Sequence, residues 1–533
     1  MKKTLRKVLS VILCVMLISG ITAPAAFAAY DPEVSVNPEV NGFTKILYNL
    51  LDGIIDKLVG AINRMIPNPP SWVEKSDYVS EGVMAGTEEF LDAPADNAVW
   101  SMGYANASIL TGNEMNNYYV GGSLAIGDKT VTEIYDDLLV RTVVMSDNSG
   151  RGKVAFVVVD AYGISSNYVR DIRAQLADFC AANDIVSLNI SVLHQHSAVD
   201  TLGMNGNIFK ALGNAGKEKP VNGISEEYMA NLYAKIEETL ATATESMTEG
   251  TLYHGSADFS EFVNDKRDPQ VLDAEFDRFR FVPADGGREL WFTTSAIHCV
   301  GNGAGGTEIT GDYPYYMEQY INETYNADFI MILTAQQGTG QDWDAVEVPE
   351  GATTPEGLTI YGQALAERFA SINNETEVAP LLNVAHKETF YTISNQILVF
   401  AGKMGLITNR VVTDGAEYKV VSEIGYMEIG TDVAVVMVPG EIAAELVYGG
   451  FLGADKSWTG TEWELGSVSD MIDADKEIIV FGITNDQIGY IIPANDYMAL
   501  LEPSNKSLEL VATGNKTAAE MIGDFKALID SVK

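Results

Sequence analysis

Cysteine is scarce: the chain has three in 533 residues. Cys14 lies in an N-terminal apolar run, which leaves Cys180 and Cys299. Two thiols are too few for a disulfide framework, and the sequence does not fix whether they pair. Cys299 directly follows His298 and is either a buried thiol or a soft metal ligand. Positive charge is also short, with 34 Lys and Arg against 74 Asp and Glu and a net charge of −40. That balance argues against nucleic acid and anionic membranes as partners and fits a solvated acidic exterior. Beyond the N-terminus no segment approaches the roughly 18 apolar residues of a membrane span. The chain has no H-E-x-x-H, no paired C-x-x-C, no repeat and no low-complexity tract.

What is present starts with a secretory signal over residues 1–28. "MKKTLRK" is a basic start, "VLSVILCVMLISGI" an apolar middle and "AFA" a small-residue cleavage site. The expectation is export by a bacterial secretory route, to the medium or the cell envelope. With 47% hydrophobic and 9% aromatic residues the remainder has ample material for a core.

Residues 29–85 form an N-terminal segment, and its centre, 43–66, reads as an amphipathic helix. Phe43, Leu47, Leu50, Ile54, Leu58, Ile62 and Ile66 follow the three-to-four spacing, and "PNPPSW" stops the run. Two roles are open. The helix docks its stripe on the body, or it touches lipid as a peripheral membrane contact. Docking is favoured, because a membrane-surface helix carries a cationic polar face and this one has only Lys45, Lys57 and Arg64. From residue 86 to 533 strands and helices alternate. "KVAFVVVDAYG" is a buried strand, "SSNYVRDIRAQLADFCAAN" a helix and "IVSLNISVLHQHS" the next strand. The pattern predicts an α/β fold, with mixed sheets layered with helices in one large catalytic domain.

Polar residues gather at strand ends, where open α/β sheets bind ligands. His194 and His196 stand one residue apart, and period-2 geometry aims both at one face. His298 closes "TTSAIH" before a glycine-rich loop. Glu441 follows Pro439-Gly440 at the start of an expected helix, and Tyr490 follows the polar turn "TNDQIG". A lone strand histidine is usually a satisfied core group. Two neighbouring imidazoles are costly to bury without a partner or a metal.

In this order the motifs resemble those of the neutral, non-lysosomal ceramidases, zinc amidases that split ceramide. Met102-Gly103-Tyr104-Ala105, Asp160-Ala161, His194-Gln195-His196-Ser197, the "AIH" of His298, Pro439-Gly440-Glu441 and Asn485…Gly489-Tyr490 carry the likeness over about residues 95–500. The resemblance implies Zn2+ held by His194, His298, Glu441 and Tyr490. His196 is then the acid–base group, and Arg267 of "VNDKRDP" an oxyanion or substrate contact. Gly103, Tyr104, Thr339 and Asp342 are the implied substrate-binding residues.

The departures fall on the substrate side. "QQGTGQDWD" (336–344) has no serine where the family places its active-site serine, so Thr339 or Asp342 is the substitute. Gln487 stands where the family has a tyrosine. Too few residues follow Tyr490 for the family's immunoglobulin-like domain. The leading expectation is an exported zinc amidohydrolase acting on an N-acyl linkage, in ceramide or a related lipid amide. Competing readings are a zinc hydrolase of the same fold acting on an ester or non-lipid amide, and a silent binding protein with a structural zinc.

Overall fold

The computed structural model describes residues 42–122, 130–205, 222–265, 267, 269–303, 305–500 and 508–533. The expected signal segment lies outside them.

Runs of β-branched and aromatic residues build two mixed sheets. The larger contains β1 (Trp100–Ser108), β2 (Leu139–Ser146), β3 (Lys153–Val159), β4 (Ile185–Val192), β5 (Thr248–Asp258), β6 (Glu275–Pro283), β7 (Glu289–Ser295) and β8 (Ala327–Leu333). Their spatial order is β8-β7-β6-β5-β1-β2-β3-β4. The outer pairs, β3 with β4 and β7 with β8, are parallel, and the strands between pair antiparallel. The second sheet runs β9 (Leu382–Thr392), β10 (Glu417–Ile429), β11 (Val433–Met437), β12 (Glu477–Phe481). There, β11 and β12 are parallel.

Both faces of both sheets are covered, so the central strands read as continuous apolar runs rather than alternating ones. Along β3, Val154, Phe156 and Val158 join the core between the sheets, while Ala155, Val157 and Val159 join the core on the outer face. Along β11, Val433, Val435 and Met437 face the same inter-sheet core and Ala434 and Val436 face the other way. Phe481 of β12 stands 5.3 Å from Phe156 and 5.6 Å from Phe292, which locks the sheets face to face. Each such ring contributes roughly 1.5–3 kcal/mol by burial. Helix Glu226–Glu245 packs on β1 and β2, and helix Thr517–Val532 on β9 and β10. The order is helix, sheet, sheet, helix, the layered α/β architecture expected from the sequence.

Three local expectations need correction. His194 is not on a strand: β4 ends at Val192, and His194 has φ 51°. The left-handed backbone turns the chain there, so its side-chain direction comes from a turn and not from the pleat. Glu441 does not open a helix. Glu441–Ile442 pairs in parallel with Tyr490–Ile491, and the helix begins at Glu445. The N-terminal helix, Gly42–Asn63, docks only the C-terminal end of its apolar stripe: Ile62 is buried, whereas Leu47, Leu50, Ile54 and Leu58 are exposed. Val59 and the polar edge make the remaining contacts.

Candidate metal and acid–base site

The three parallel strand pairs deliver their carboxyl ends to one place. β3 and β4 lead to Asp160–Tyr162 and His194–His196. β7 and β8 lead to Ala296–Cys299 and Thr334–Thr339. β11 and β12 lead to Pro439–Glu441 and Gly482–Tyr490. Backbone bonds tie these ends together: His196 N donates to Cys299 O (3.1 Å), Ile442 N to Ala335 O (3.0 Å), Gln337 N to Ile442 O (2.8 Å) and Glu441 N to Gly489 O (3.2 Å). Asn485 stitches the sheets, with its amide on Glu423 of β10 and Asn189 of β4 (3.0 Å each).

Within that frame His194, His298 and Glu441, all buried, place one ligand atom each within 4.8 Å of one another. Glu441 bridges the imidazoles, with Oε2 2.9 Å from His298 Nε2 and Oε1 3.4 Å from His194 Nε2. The opposite ring nitrogens are anchored: His194 Nδ1 sits 2.7 Å from Tyr162 O, and His298 Nδ1 2.8 Å from Thr339 Oγ1. If each Nδ1 carries the proton, both Nε2 lone pairs face Glu441. That tautomer is the one a metal requires. His194 Nε2 is buried without a hydrogen-bond partner. An orphaned lone pair beside a second imidazole and a carboxylate fits a divalent cation better than any protein group present.

The electrostatics agree. Burial, followed by competition from His298, holds His194 down at about 4 although Glu441 pulls the other way. Burial would raise Glu441, but His194 and the close contact with His298 outweigh it and hold the carboxyl at about 2. Near neutral pH His194 is therefore a neutral imidazole and Glu441 a carboxylate. Tyr490 lies beside Glu441 in the paired register, and burial, then the charge of Glu441, raises its phenol well above 10. All four sequence-predicted ligands therefore converge.

His196 is brought to the same place without joining the trio. Its ring lies 4.9 Å from that of His194, nearly perpendicular, and its Nδ1 is buried with no partner. Burial first, then the neighbouring imidazoles, lowers it well below 6.5. Gly122 makes this placement possible, because a Cβ there would lie 2.3 Å from His196 Cα.

Of the other implied residues, Thr339 adjoins the trio, and each is held by contacts of its own. Arg267 is buried in an ion-pair group, with Nη2 2.8 Å from Glu509 and 3.5 Å from Asp496. Thr339 is in place, but its hydroxyl is engaged by His298 and by Ala296 O (2.5 Å), which makes it a ligand support. Asp342 caps the short turn Trp343–Ala345 by accepting from Asp344 N. Gly103 sits under helix Glu226–Glu245, where a Cβ would meet Ala243 O at 2.0 Å. Tyr104 bonds Glu318 (3.2 Å), which with Asp160 holds the buried Arg141. Cys180 and Cys299 are free and buried.

Sequence reasoning missed Tyr162, whose ring stacks on His194 at 4.3 Å and meets His196 edge-on at 4.9 Å. Its position between "VVVD" and a glycine was the only available signal. It also missed a second group, His254, Asp277 and Glu477, drawn from three separate strands.

No protein-family model matches the chain, and no curated protein sequence does. Solved structures do. The neutral ceramidase from Pseudomonas aeruginosa superposes with a TM-score of 0.59 at 15% identity, over 82% of this chain and 75% of that one. A ceramidase complexed with C2 gives the same values. At this identity the likeness concerns architecture: the chain has the neutral-ceramidase fold.

Proposed function

We propose that the chain is an exported, zinc-dependent amidohydrolase that cleaves an N-acyl linkage, in ceramide or a related lipid amide. One observation carries the reading: two imidazole Nε2 atoms and one carboxylate, from three distant strand ends, face each other with their outer nitrogens already anchored. The ceramidase fold supports the substrate class. His194, His298 and Glu441 would hold the ion, with Tyr490 as fourth donor. Zinc supplies a Lewis acid for an amide carbonyl and lowers the pKa of water toward neutrality.

The chain's own groups do the rest. His196, neutral at physiological pH with a free buried Nδ1, accepts the proton of the attacking water and returns it to the departing amine nitrogen. The carbon–nitrogen bond breaks as the carbon–oxygen bond forms, and a fatty acid and an amine leave. Tyr162 holds both imidazoles by ring contact and fixes the tautomer of His194 through its carbonyl. Thr339 does the same for His298 and, so engaged, is not the replacement for the missing serine. A purely structural zinc site explains the four ligands but leaves the orphaned His196 beside them without a purpose.

The test is His196→Ala. We expect zinc content to stay at the wild-type level while hydrolysis of a fluorescent N-acyl-sphingosine falls by about 10²–10⁴-fold. Unchanged turnover would remove His196 from the reaction. Wild-type protein that binds zinc yet hydrolyses no N-acyl lipid would end the proposal.

A further inference from the structure

Helix Gly42–Asn63 is mounted inside out. Its body-facing edge is largely polar, with Val59 and Ile62 buried toward its C-terminal end. Asn49 Oδ1 accepts from Trp458 Nε1 (3.2 Å), Asp52 accepts from Leu500 N (3.2 Å), and Lys45 lies over the Trp458 ring at 5.3 Å. Asn63 bonds Gln396 (2.9 Å), and Lys403 caps the last carbonyls at Asn63 (2.7 Å) and Ile66 (3.0 Å). The opposite edge carries Ile46, Leu47, Leu50, Leu51, Ile54 and Leu58, all exposed, with Ile46 at 67% and Leu50 at 59%. At 100° per residue these six fall on one continuous face about 18 Å long. Soluble proteins rarely leave so large an apolar patch bare.

Charge narrows what covers it. Both acids of the helix turn to the body side of the wheel, where burial pushes Asp52 up to about 6. Only Lys57 and Arg64 flank the apolar face. In a chain with 74 acidic residues, the charged side chains of the helix that border its apolar face are both cations. A second copy would bring the same charge of −40 to the contact. A phospholipid surface instead offers acyl chains to the leucines and phosphates to Lys57 and Arg64.

The helix also stands near the site. Tyr48 packs with Trp458, Met498 and Ala499, and Asp52 holds Leu500. The same stretch continues through Tyr497 to Leu508 and Ala512, which pack on Tyr490. The body side of the helix thus adjoins the residues that pack on Tyr490, the neighbour of Glu441 in the paired register.

We infer that helix 42–63 lies flat in the interface of a phospholipid surface, apolar face down, and sets the site at the membrane from which a lipid amide is drawn. The inference rests on the lipid-amide reading for its purpose and on the helix geometry for its substance. The expectation favoured from the sequence, docking of the stripe, gives way over residues 46–58, where the stripe faces out.

The test is co-sedimentation of the full chain with phosphatidylcholine vesicles, wild type against Leu50→Glu/Ile54→Glu. Residues 1–28 are treated alike in both, so the difference reads the helix. Wild-type protein should pellet and the variant should partition at least tenfold less, with the same melting temperature. Equal pelleting, or none by either protein, overturns the inference. So does a wild-type dimer that the variant converts to monomer with no difference in vesicle binding. Hydrolysis of a water-soluble short-chain N-acyl substrate is measured in the same samples and should be unchanged by the variant. Its absence from both proteins, with vesicle binding still split, would sink the proposed activity and leave the lipid contact standing.

Discussion

The His194–His298–Glu441 and His254–Asp277–Glu477 groups use the same residue types to opposite electrostatic ends. Both bring three ligand atoms within 4.8 Å. In the first, each anchored imidazole nitrogen meets a neutral oxygen, the facing nitrogens are left for Glu441, and burial keeps the His194 ring uncharged. In the second, His254 Nε2 is held by Asp277 at 2.8 Å. Burial would lower its pKa, but the Asp277 bond and charge win and raise it. Burial, then the charge of Asp277, pushes Glu477 up to about 7. A cavity of about 290 Å³ adjoins this second group, so room is not what it lacks. Its Asp277 is already engaged at both oxygens, by His254 (2.8 Å) and by the Thr294 hydroxyl (3.0 Å). One group leaves an imidazole nitrogen without a hydrogen-bond partner, and in the other a carboxylate holds the imidazole. Proximity of ligand types does not separate the two. The partner of the far ring nitrogen does.

The largest contrast to break is in metal content. His298→Ala should lose zinc and reduce hydrolysis by about 10³-fold or more, several kcal/mol of lost electrophilic assistance. His254→Ala should keep both within about twofold. Metal analysis and turnover read this directly, and zinc loss in the second variant would erase the distinction. Next comes stability. Asp277→Asn leaves a buried imidazolium without its partner and should cost about 3 kcal/mol, seen in chemical denaturation, with zinc unchanged. A cost below about 1 kcal/mol would show that the pair is not ionised.

The smallest effect concerns pH. His254 and Glu477 both have folded pKa values above their unfolded ones, so the folded state holds protons more tightly. Their contribution is complete below about pH 4.5 for Glu477 and below about 6.5 for His254, and it is lost as pH rises through the raised values. Glu477→Gln should flatten the fall in stability between about pH 5 and 8. Glu477 is partly exposed, so the difference should be under about 1 kcal/mol. A steeper fall in the variant would reverse the assignment.

Much of this was readable before any coordinates. The unbroken apolar runs of β3 and β11 announced strands buried on both faces, and the polar residues after them marked a site. His194, His298, Glu441 and Tyr490 could be named because short motifs kept a familiar order. Other features left no such trace. The left-handed turn at His194 is a backbone choice that a histidine does not advertise. Thr339 looked like a substrate contact and is a ligand support, because its role depends on which nitrogen of His298 lies 2.8 Å away. Arg267 was placed by a loose motif and is held instead by Glu509, which lies 242 residues further along the chain.

By itself the sequence determined composition-level and periodic properties: an acidic chain, two-sided strands, a helix with an apolar stripe, and imidazoles at strand ends. These follow from side-chain chemistry repeated at the spacing of the backbone. Tertiary structure alone decided which way that stripe faces and which of two histidine–carboxylate groups stays open to a cation. Both depend on partners hundreds of residues distant, and periodicity carries no information about what lies across a contact.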